Sequence, residues 1–240
     1  MTGRGTTPPY YQVKQRLLED IAELAPGTPL PTEREISERQ GVSRTTVRKA
    51  LSDLLTEGRI TREQGRGTFI AEPKLVQELT LTGFTDNMVA LGLIPSSQLI
   101  SVTRKSAPPA INDALDLPPD APVLSITRLR LADGTPMAVE TIHLDAERFS
   151  EVEELLVDNA SLYAIMQRRF GILLDHAEQT IETAAASPED AELLGTDVGG
   201  AILLLTRQSF DEGGNVIEFV ESRYRGDRFS FTTRLARTDV

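Results

Sequence analysis

The chain has no cysteine, and among its 240 residues only His143 and His176 are histidines. Disulfide bridges, thiolate metal sites and a cysteine nucleophile are therefore excluded, and two histidines alone do not build a transition-metal centre. No apolar run approaches the roughly 20 residues that cross a bilayer as a helix. The opening residues, MTGRGTTPPYY, lack the apolar core of a secretory signal. These absences lead to the expectation of a soluble, cytoplasmic protein with no metal, no cofactor and no membrane partner. Positive charge is scarce as well: 25 Lys and Arg stand against 36 Asp and Glu, for a net charge of −11. The deficit is uneven. Residues 1–74 carry 12 basic and 10 acidic side chains, a net +2, whereas residues 75–240 carry 13 and 26, a net −13. Such asymmetry, in a chain long enough for two domains with cores of their own, points to two segments with separate jobs.

What is present is most concentrated between Pro29 and Leu55, PLPTEREISERQGVSRTTVRKALSDLL. Thr32, with Glu35 three residues on, has the form of a capping box, which starts a helix. Gly41 tolerates the positive φ that ends it, and Ser43 is placed to cap the next helix. Val47, Leu51, Leu54 and Leu55 then recur at helical spacing and predict one buried face. Arg44 and Arg48 stand one turn apart, with Thr45 and Lys49 beside them. A helix whose cap and first turns carry Ser43, Arg44, Thr45, Thr46 and Arg48 suits the DNA major groove. Its arginines fork onto guanine edges and its hydroxyls reach phosphates or bases. After Gly58, two β-runs, Arg59–Arg62 and Gly67–Ile70, flank the turn Glu63-Gln64-Gly65-Arg66. A hairpin behind a recognition helix is a wing, and its Gly-Arg-Gly tip offers Arg66 to the minor groove. With a net of only +2, one such winged helix-turn-helix would bind DNA weakly and in a salt-sensitive way, which favours a dimer on two half-sites.

A first helix from about Tyr10 to Leu24 is marked by Tyr10, Val13, Leu17, Ile21 and Leu24 and ended by Pro26-Gly27. Ala71-Glu72-Pro73-Lys74 interrupts the pattern past the wing. Residues 1–70 are therefore expected to form the DNA-binding domain, 71–78 a linker and 79–240 a second domain. There, strands are expected at Leu99–Val102, Val123–Leu131, Met137–Leu144, Ala177–Thr183, Ala201–Ser209, Val216–Tyr224 and Phe229–Leu235. Short helices fit between them at Pro109–Leu115, Glu151–Val157, Ser161–Phe170 and Pro188–Leu194. Ala132–Thr135 and Asp211–Asn215 read as hairpin links. The fold class is α+β with a mostly antiparallel sheet.

The second domain scatters polar groups over apolar elements. Arg128 and Arg130, two apart on a strand, point to one face, and Glu140 lies on the next strand across a hairpin. Ser161 starts a helix with Tyr163 two residues on, and a capped helix start beside arginines suits an anion. Glu218 is an acceptor for ligand hydroxyls or an amine, and Tyr224-Arg225-Gly226-Asp227-Arg228 gathers an aromatic and charges around a turn. Together they suggest a small anionic, hydroxyl-rich ligand such as a sugar phosphate. Each piece also has a plain structural reading. The arginines could make surface salt bridges, Ser161 only cap its helix, Tyr163 and His143 belong to the core, and Arg225 pair with Asp227.

PLPTERE, GVSRTTVRKALSDLLTEG and GRGTF together closely resemble the winged helix-turn-helix of the GntR family of regulators. The second half is similar to the UTRA effector domain of its HutC-type branch, whose fold resembles chorismate lyase. LTGFTDNM, ITRLRLADGTPMAVETIHL, ASLYAIM and VESRYRGDRFSF further resemble the amino-sugar regulators of that branch, which control N-acetylglucosamine uptake and use. The resemblance runs from Tyr10 to Leu235. It implies a dimeric repressor on a near-palindromic operator, controlled by a phosphorylated amino sugar such as N-acetylglucosamine 6-phosphate or glucosamine 6-phosphate. It adds Arg34 to the DNA contacts and places Arg66 and Gly67 at the wing tip in the minor groove. It assigns Phe84, Thr85, Arg128, Arg130, Ser161 and Tyr163 to the ligand phosphate and Glu140, Glu218 and Tyr224 to the sugar, with His143 close by. One departure is Gly83, where these regulators often have Ser before Phe-Thr. Two alternatives stay open. The same architecture could serve another sugar phosphate, urocanate or an acyl compound. A lyase-like enzyme would have to rely on Glu140 and His143, since the sequence holds no cysteine, metal cluster, nucleophile elbow or Gly-rich phosphate loop.

Overall fold

Local signals between Thr32 and Ser43 become two helices in the computed structural model, which describes residues 7–63, 65–156 and 159–235. Backbone contacts divide the chain into two units, Met1–Leu75 with Gly226–Arg228, and Val76–Arg225 with Phe229–Val240. In the first unit, α1 (Pro9–Ile21), α2 (Glu33–Gln40) and α3 (Arg44–Thr56) precede a hairpin of β1 (Ile60–Glu63) and β2 (Gly67–Ile70). Thr32 and Glu35 form the reciprocal capping box, and Gly41 ends α2 in the left-handed conformation (φ 66°) that its missing Cβ permits. Val13, Leu17, Ile36, Val47, Leu51, Leu54, Ile60 and Ile70 close into one core. The helix α1 stops three residues earlier than its periodicity predicts, because the Ala22 amide turns to the Glu19 carbonyl in a tighter turn.

The second unit is built on a six-stranded sheet ordered β4 (Pro95–Ser106), β5 (Pro122–Ala132), β6 (Thr135–Asp145), β9 (Val216–Arg225), β8 (Ala201–Asp211), β7 (Leu174–Ala185). Every pairing in it is antiparallel. Its strands are longer than expected at both ends of β4 and β7. A further strand, β3 (Leu75–Glu78), occupies the second half of the expected linker and pairs with β10 (Phe229–Thr232). Around the sheet lie α4 (Phe84–Ala90), α5 (Pro109–Ala114), α6 (Val152–Leu155), α7 (Leu162–Ile165) and α8 (Pro188–Leu194). The helix expected over 161–170 is α7 followed by a π-helical turn at Met166–Phe170, which Gly171 ends. The expected end of the preceding helix, Val157, falls outside the described residues. Neither α4 nor β3 was foreseen. Within α4 only Phe84 and Met88 are buried, a single i, i+4 pair and too short a pattern to show a period.

Alternation along the strands decides what each face meets. Leu124, Ile126, Ile142, Leu144 and Val220 pack with Phe149, Val152, Leu162 and Met166 on one face. Leu129, Leu131, Val139 and Ile202 point the other way and pack against Leu194 of α8. The first face carries the cavity described next.

Candidate functional site

The candidate nucleic-acid surface lies in the first unit. Val47, Ala50, Leu51 and Leu54 tie α3 to the core, so Arg44, Thr45 and Arg48 are exposed and Thr46 is half-buried. The Ser43 hydroxyl caps α3 by accepting from the Thr46 amide at 3.2 Å. Arg48 donates to Glu33 at 3.2 Å, and Arg62 on β1 lies 4.0 Å from the same carboxylate. Arg34, exposed on α2, pairs with Glu38 at 3.8 Å. Arg44 is exposed and has no ion pair among the described residues. At the wing tip Arg66 pairs with Glu63, between Gly65 (φ 74°) and Gly67 (φ 123°). Those backbone angles strain any L side chain, so glycines hold the tip and leave room for close approach. All eight residues foreseen for DNA thus lie on α2, α3 and the wing.

In the second unit, cross-strand register gathers the other set. Arg128 stands opposite Glu140, Glu140 opposite Ser222, and Ser222 opposite Leu205, one row across β5, β6, β9 and β8. Two residues along, Ile142, Val220, Arg207 and Gln179 form a second row reaching β7. Period-two alternation brings both rows, with Tyr224 and Glu218, to one face. Phe84 and Thr85 of α4, and Ser161 and Tyr163 at α7, close the cavity over them.

Inside it, Arg128 is 4% exposed and donates to Glu140 at 2.7 Å and to the Ala160 carbonyl at 3.0 Å. Arg130, 3% exposed, donates to the Thr85 hydroxyl at 3.2 Å and lies 4.6 Å from the centre of the Phe84 ring. Its distance to Glu140, 4.0 Å, is an ionic contact and too long for a hydrogen bond. Among the described residues, the buried Nε atoms of both arginines, and Nη1 of Arg130, have no hydrogen-bond partner. Tyr163 donates its hydroxyl to Glu218 at 2.6 Å, and Ser209 donates to the same oxygen at 2.9 Å. Ser161 caps α7 by accepting from the Ala164 amide at 3.3 Å. Tyr224 packs edge-on against Phe229 and Phe231.

Electrostatics separates the two carboxylates. Burial pushes Glu140 up, but Arg130 and Arg128 beside it outweigh burial and hold it below the usual range. Burial also pushes Glu218 up, and there the hydrogen bonds from Tyr163 and Ser209 do not compensate. Burial, then the Glu140 charge, raises the Tyr224 phenol to about 12. Burial lowers Arg130, against the pull of Glu140. Three guanidinium groups, on Arg128, Arg130 and Arg207, face two carboxylates, so the lining carries surplus positive charge.

One foreseen residue is not in this cavity. His143 follows Ile142 on β6 and points to the other face, where it shares hydrogen bonds with Ser125 at 2.8 Å and Glu221 at 3.1 Å and stacks on Phe219. The structural alternative holds for His143, and the pairing of Glu140 with His143 as acid and base is not formed. Ser161 is both cap and lining. Several lining residues were missed: Gln77, Thr82, Asn87, Gln179, Arg207 and Ser222. A charged residue inside the apolar run Ile202–Phe210 marks Arg207. Gln179 and Ser222 need the sheet order, and Gln77, Thr82 and Asn87 lie on β3, a connecting segment and α4, which only the tertiary fold brings to the cavity. Gly83 also lines the cavity, and a Cβ there would meet Tyr163 at 3.5 Å, an ordinary contact. Space does not require glycine at this position.

Comparison with known proteins gives a family for each half of the chain. Residues 9–70 match the model of bacterial regulatory proteins of the gntR family, and residues 90–230 match that of the UTRA domain. The HTH-type transcriptional repressor NagR of Bacillus subtilis (strain 168) is 39% identical over 233 residues, covering 96% of each chain. The HTH-type transcriptional repressor PhnF of Mycolicibacterium smegmatis is 39% identical over 206 residues, 86% of this chain and 84% of PhnF. The crystal structure of PhnF from Mycobacterium smegmatis superposes with a TM-score of 0.67 at 36% identity, over 94% of this chain and 100% of that one.

Proposed function

The chain belongs to the gntR family of bacterial regulatory proteins, with a UTRA domain behind its helix-turn-helix, and on that premise we propose that it represses genes of amino-sugar uptake and use under control of a phosphorylated amino sugar. It is a DNA-binding transcriptional repressor and not an enzyme, as its families and relatives are. Amino-sugar control is supported by whole-length similarity to NagR and by the stretches around Phe84, Arg128, Ser161 and Tyr224.

The observation that carries the effector reading is the surplus of buried positive charge around Arg128 and Arg130, with three guanidinium nitrogens lacking partners. A phosphate would supply charged acceptors and offset the surplus; a neutral sugar would supply hydroxyl acceptors but no charge. Glu140, Glu218 and Tyr224 would meet sugar hydroxyls. On this reading Arg34, Ser43, Arg44, Thr45, Thr46 and Arg48 face operator bases and phosphates, and Arg66 and Gly67 enter the minor groove. Two protomers would read a near-palindromic operator, and effector binding would change the separation of their recognition helices.

The test is a thermal-shift screen against amino-sugar phosphates, their unphosphorylated sugars, other sugar phosphates, urocanate and inorganic phosphate. At a hundredfold excess over its Kd, a bound effector stabilises by about 2.7 kcal/mol. A shift with phosphorylated amino sugars, and loss of operator binding at the same concentrations, is the expected result. A shift with urocanate alone refutes the phosphate reading.

A further inference from the structure

The strand β3 is patterned against what packing alone would select. Of its four residues only Gln77 is buried, at 4% exposure, while Val76 beside it stands 54% exposed. Partition between water and protein interior favours the reverse, valine inside and glutamine outside. The buried amide also lacks the usual compensation, since Oε1 of Gln77 has no hydrogen-bond partner among the described residues. Gln40 and Asn112 carry the other buried, unpaired side-chain oxygens found there, and neither lines the cavity; Gln77 does.

The other carbonyl-bearing side chains of the lining are already engaged. Glu140 accepts from Arg128 at 2.7 Å, Gln179 from Arg207 at 2.8 Å and Asn87 from the Thr82 hydroxyl at 2.6 Å. One oxygen of Glu218 accepts from both Tyr163 and Ser209. Gln77 also holds a particular place in the chain, two residues after Leu75, where the first unit gives way to the second. Its strand pairs with β10, whose Phe229 and Phe231 pack edge-on against Tyr224 of the same cavity. The ribbon by which the chain enters the second unit therefore touches the cavity twice, through Gln77 itself and through the aromatic packing on Tyr224.

We propose that Gln77 is a specificity-determining contact for the effector: its amide oxygen accepts from a hydroxyl or amine of the ligand and so ties β3 to occupancy of the cavity. A neutral acceptor pairs with a donor and has nothing to offer the oxygens of an anion, so Gln77 meets the sugar and not the phosphate. Ligand-free, the amide oxygen is buried without a donor; ligand-bound, it has one, and β3 is held by the effector. This rests on the amino-sugar phosphate reading of the cavity.

The experiment crosses ligand and residue changes in calorimetric titrations of the full chain. Glucosamine 6-phosphate, its 1-deoxy, 3-deoxy and 4-deoxy derivatives and 2-deoxyglucose 6-phosphate, which lacks the amine, are titrated into the parent and into Gln77→Met. One of the four deletions should weaken binding to the parent at least tenfold and binding to Gln77→Met less than threefold, the sign of a direct contact. Operator binding, followed by fluorescence anisotropy, should weaken at least tenfold at saturating glucosamine 6-phosphate in the parent and less than threefold in Gln77→Met. Deletions that each cost the same in parent and variant overturn the contact and leave the phosphate reading standing. The parent series also stands by itself: without a tenfold loss from any deletion, the contact is overturned whatever the variant does. A contact seen in the titrations with operator release unchanged in Gln77→Met overturns the tie through β3. No binding of glucosamine 6-phosphate to the parent overturns the amino-sugar phosphate reading, and this contact with it.

Discussion

Replacing Arg130 with methionine should make the ligand-free protein more stable and the effector weaker. Arg130 is 3% exposed, and two of its guanidinium nitrogens, Nε and Nη1, have no hydrogen-bond partner among the described residues. Each unsatisfied buried donor costs about 1–3 kcal/mol. Against this stand one hydrogen bond to Thr85, the contact with the Phe84 ring and the ionic contact with Glu140 at 4.0 Å. A neutral hydrogen bond and a cation–π contact each contribute about 1 kcal/mol. Glu140 loses one of the two cations that hold it ionised but keeps its 2.7 Å partner, Arg128, so it is not left unpaired. Methionine fills much of the same volume without charge, and replacing buried charge by apolar groups is often stabilising. The balance is a gain of about 1–2 kcal/mol, or roughly 2–8 °C in Tm for a unit of this size. The affinity for a phosphorylated effector should meanwhile fall at least tenfold, since a hydrogen bond to a charged group contributes about 1.5–3 kcal/mol. Thermal unfolding with and without effector reads both: the variant melts higher alone, and a given effector concentration raises its Tm by less than it raises the parent's. A variant that melts lower than the parent without ligand would show Arg130 to be a structural residue and refute the reasoning.

Glu218 should leave a mark on the pH dependence of stability. Burial raises its carboxyl above the ordinary 4.5 in the folded protein. Between 4.5 and that raised value the folded state keeps a proton the unfolded state has released, so this group makes stability fall as pH rises through the window. Glu218→Gln should flatten that fall in urea-unfolding free energies measured from pH 4.5 upward; an unchanged slope would count against it. At the other surface, Arg48→Ala should cost operator binding about 1–3 kcal/mol, the value of one bidentate arginine–guanine pair. Fluorescence anisotropy with operator and scrambled duplexes decides the matter, because an equal loss on both would make Arg48 a phosphate contact only.

The winged helix and the second unit's cavity differ in how far they could be read in advance. Capping by Thr32 and Ser43, the break at Gly41, and the apolar spacing of Val47, Leu51 and Leu54 are all local, involving residues within two turns of each other. Helical geometry then leaves Arg44, Thr45 and Arg48 on the free side with little further information. Strand alternation likewise placed Arg128 and Arg130 on one face. The same alternation sets His143, three residues past Glu140, on the opposite face. Its place near the ligand, an expectation carried by the resemblance, already ran against the strand pattern and failed.

The sequence by itself determined the recognition helix, its wing, and most strands and helices, because those follow from short-range periodicity, caps and turns. The tertiary structure alone decided that β6 pairs with β9 and β9 with β8, bringing Glu140, Ser222 and Arg207 together across more than 60 residues of chain. Nothing local encodes that pairing order, which is selected by burying both faces of the sheet at once. The unpaired guanidinium nitrogens of Arg128 and Arg130, and the partnership of Arg207 with Gln179, exist only once that burial is complete.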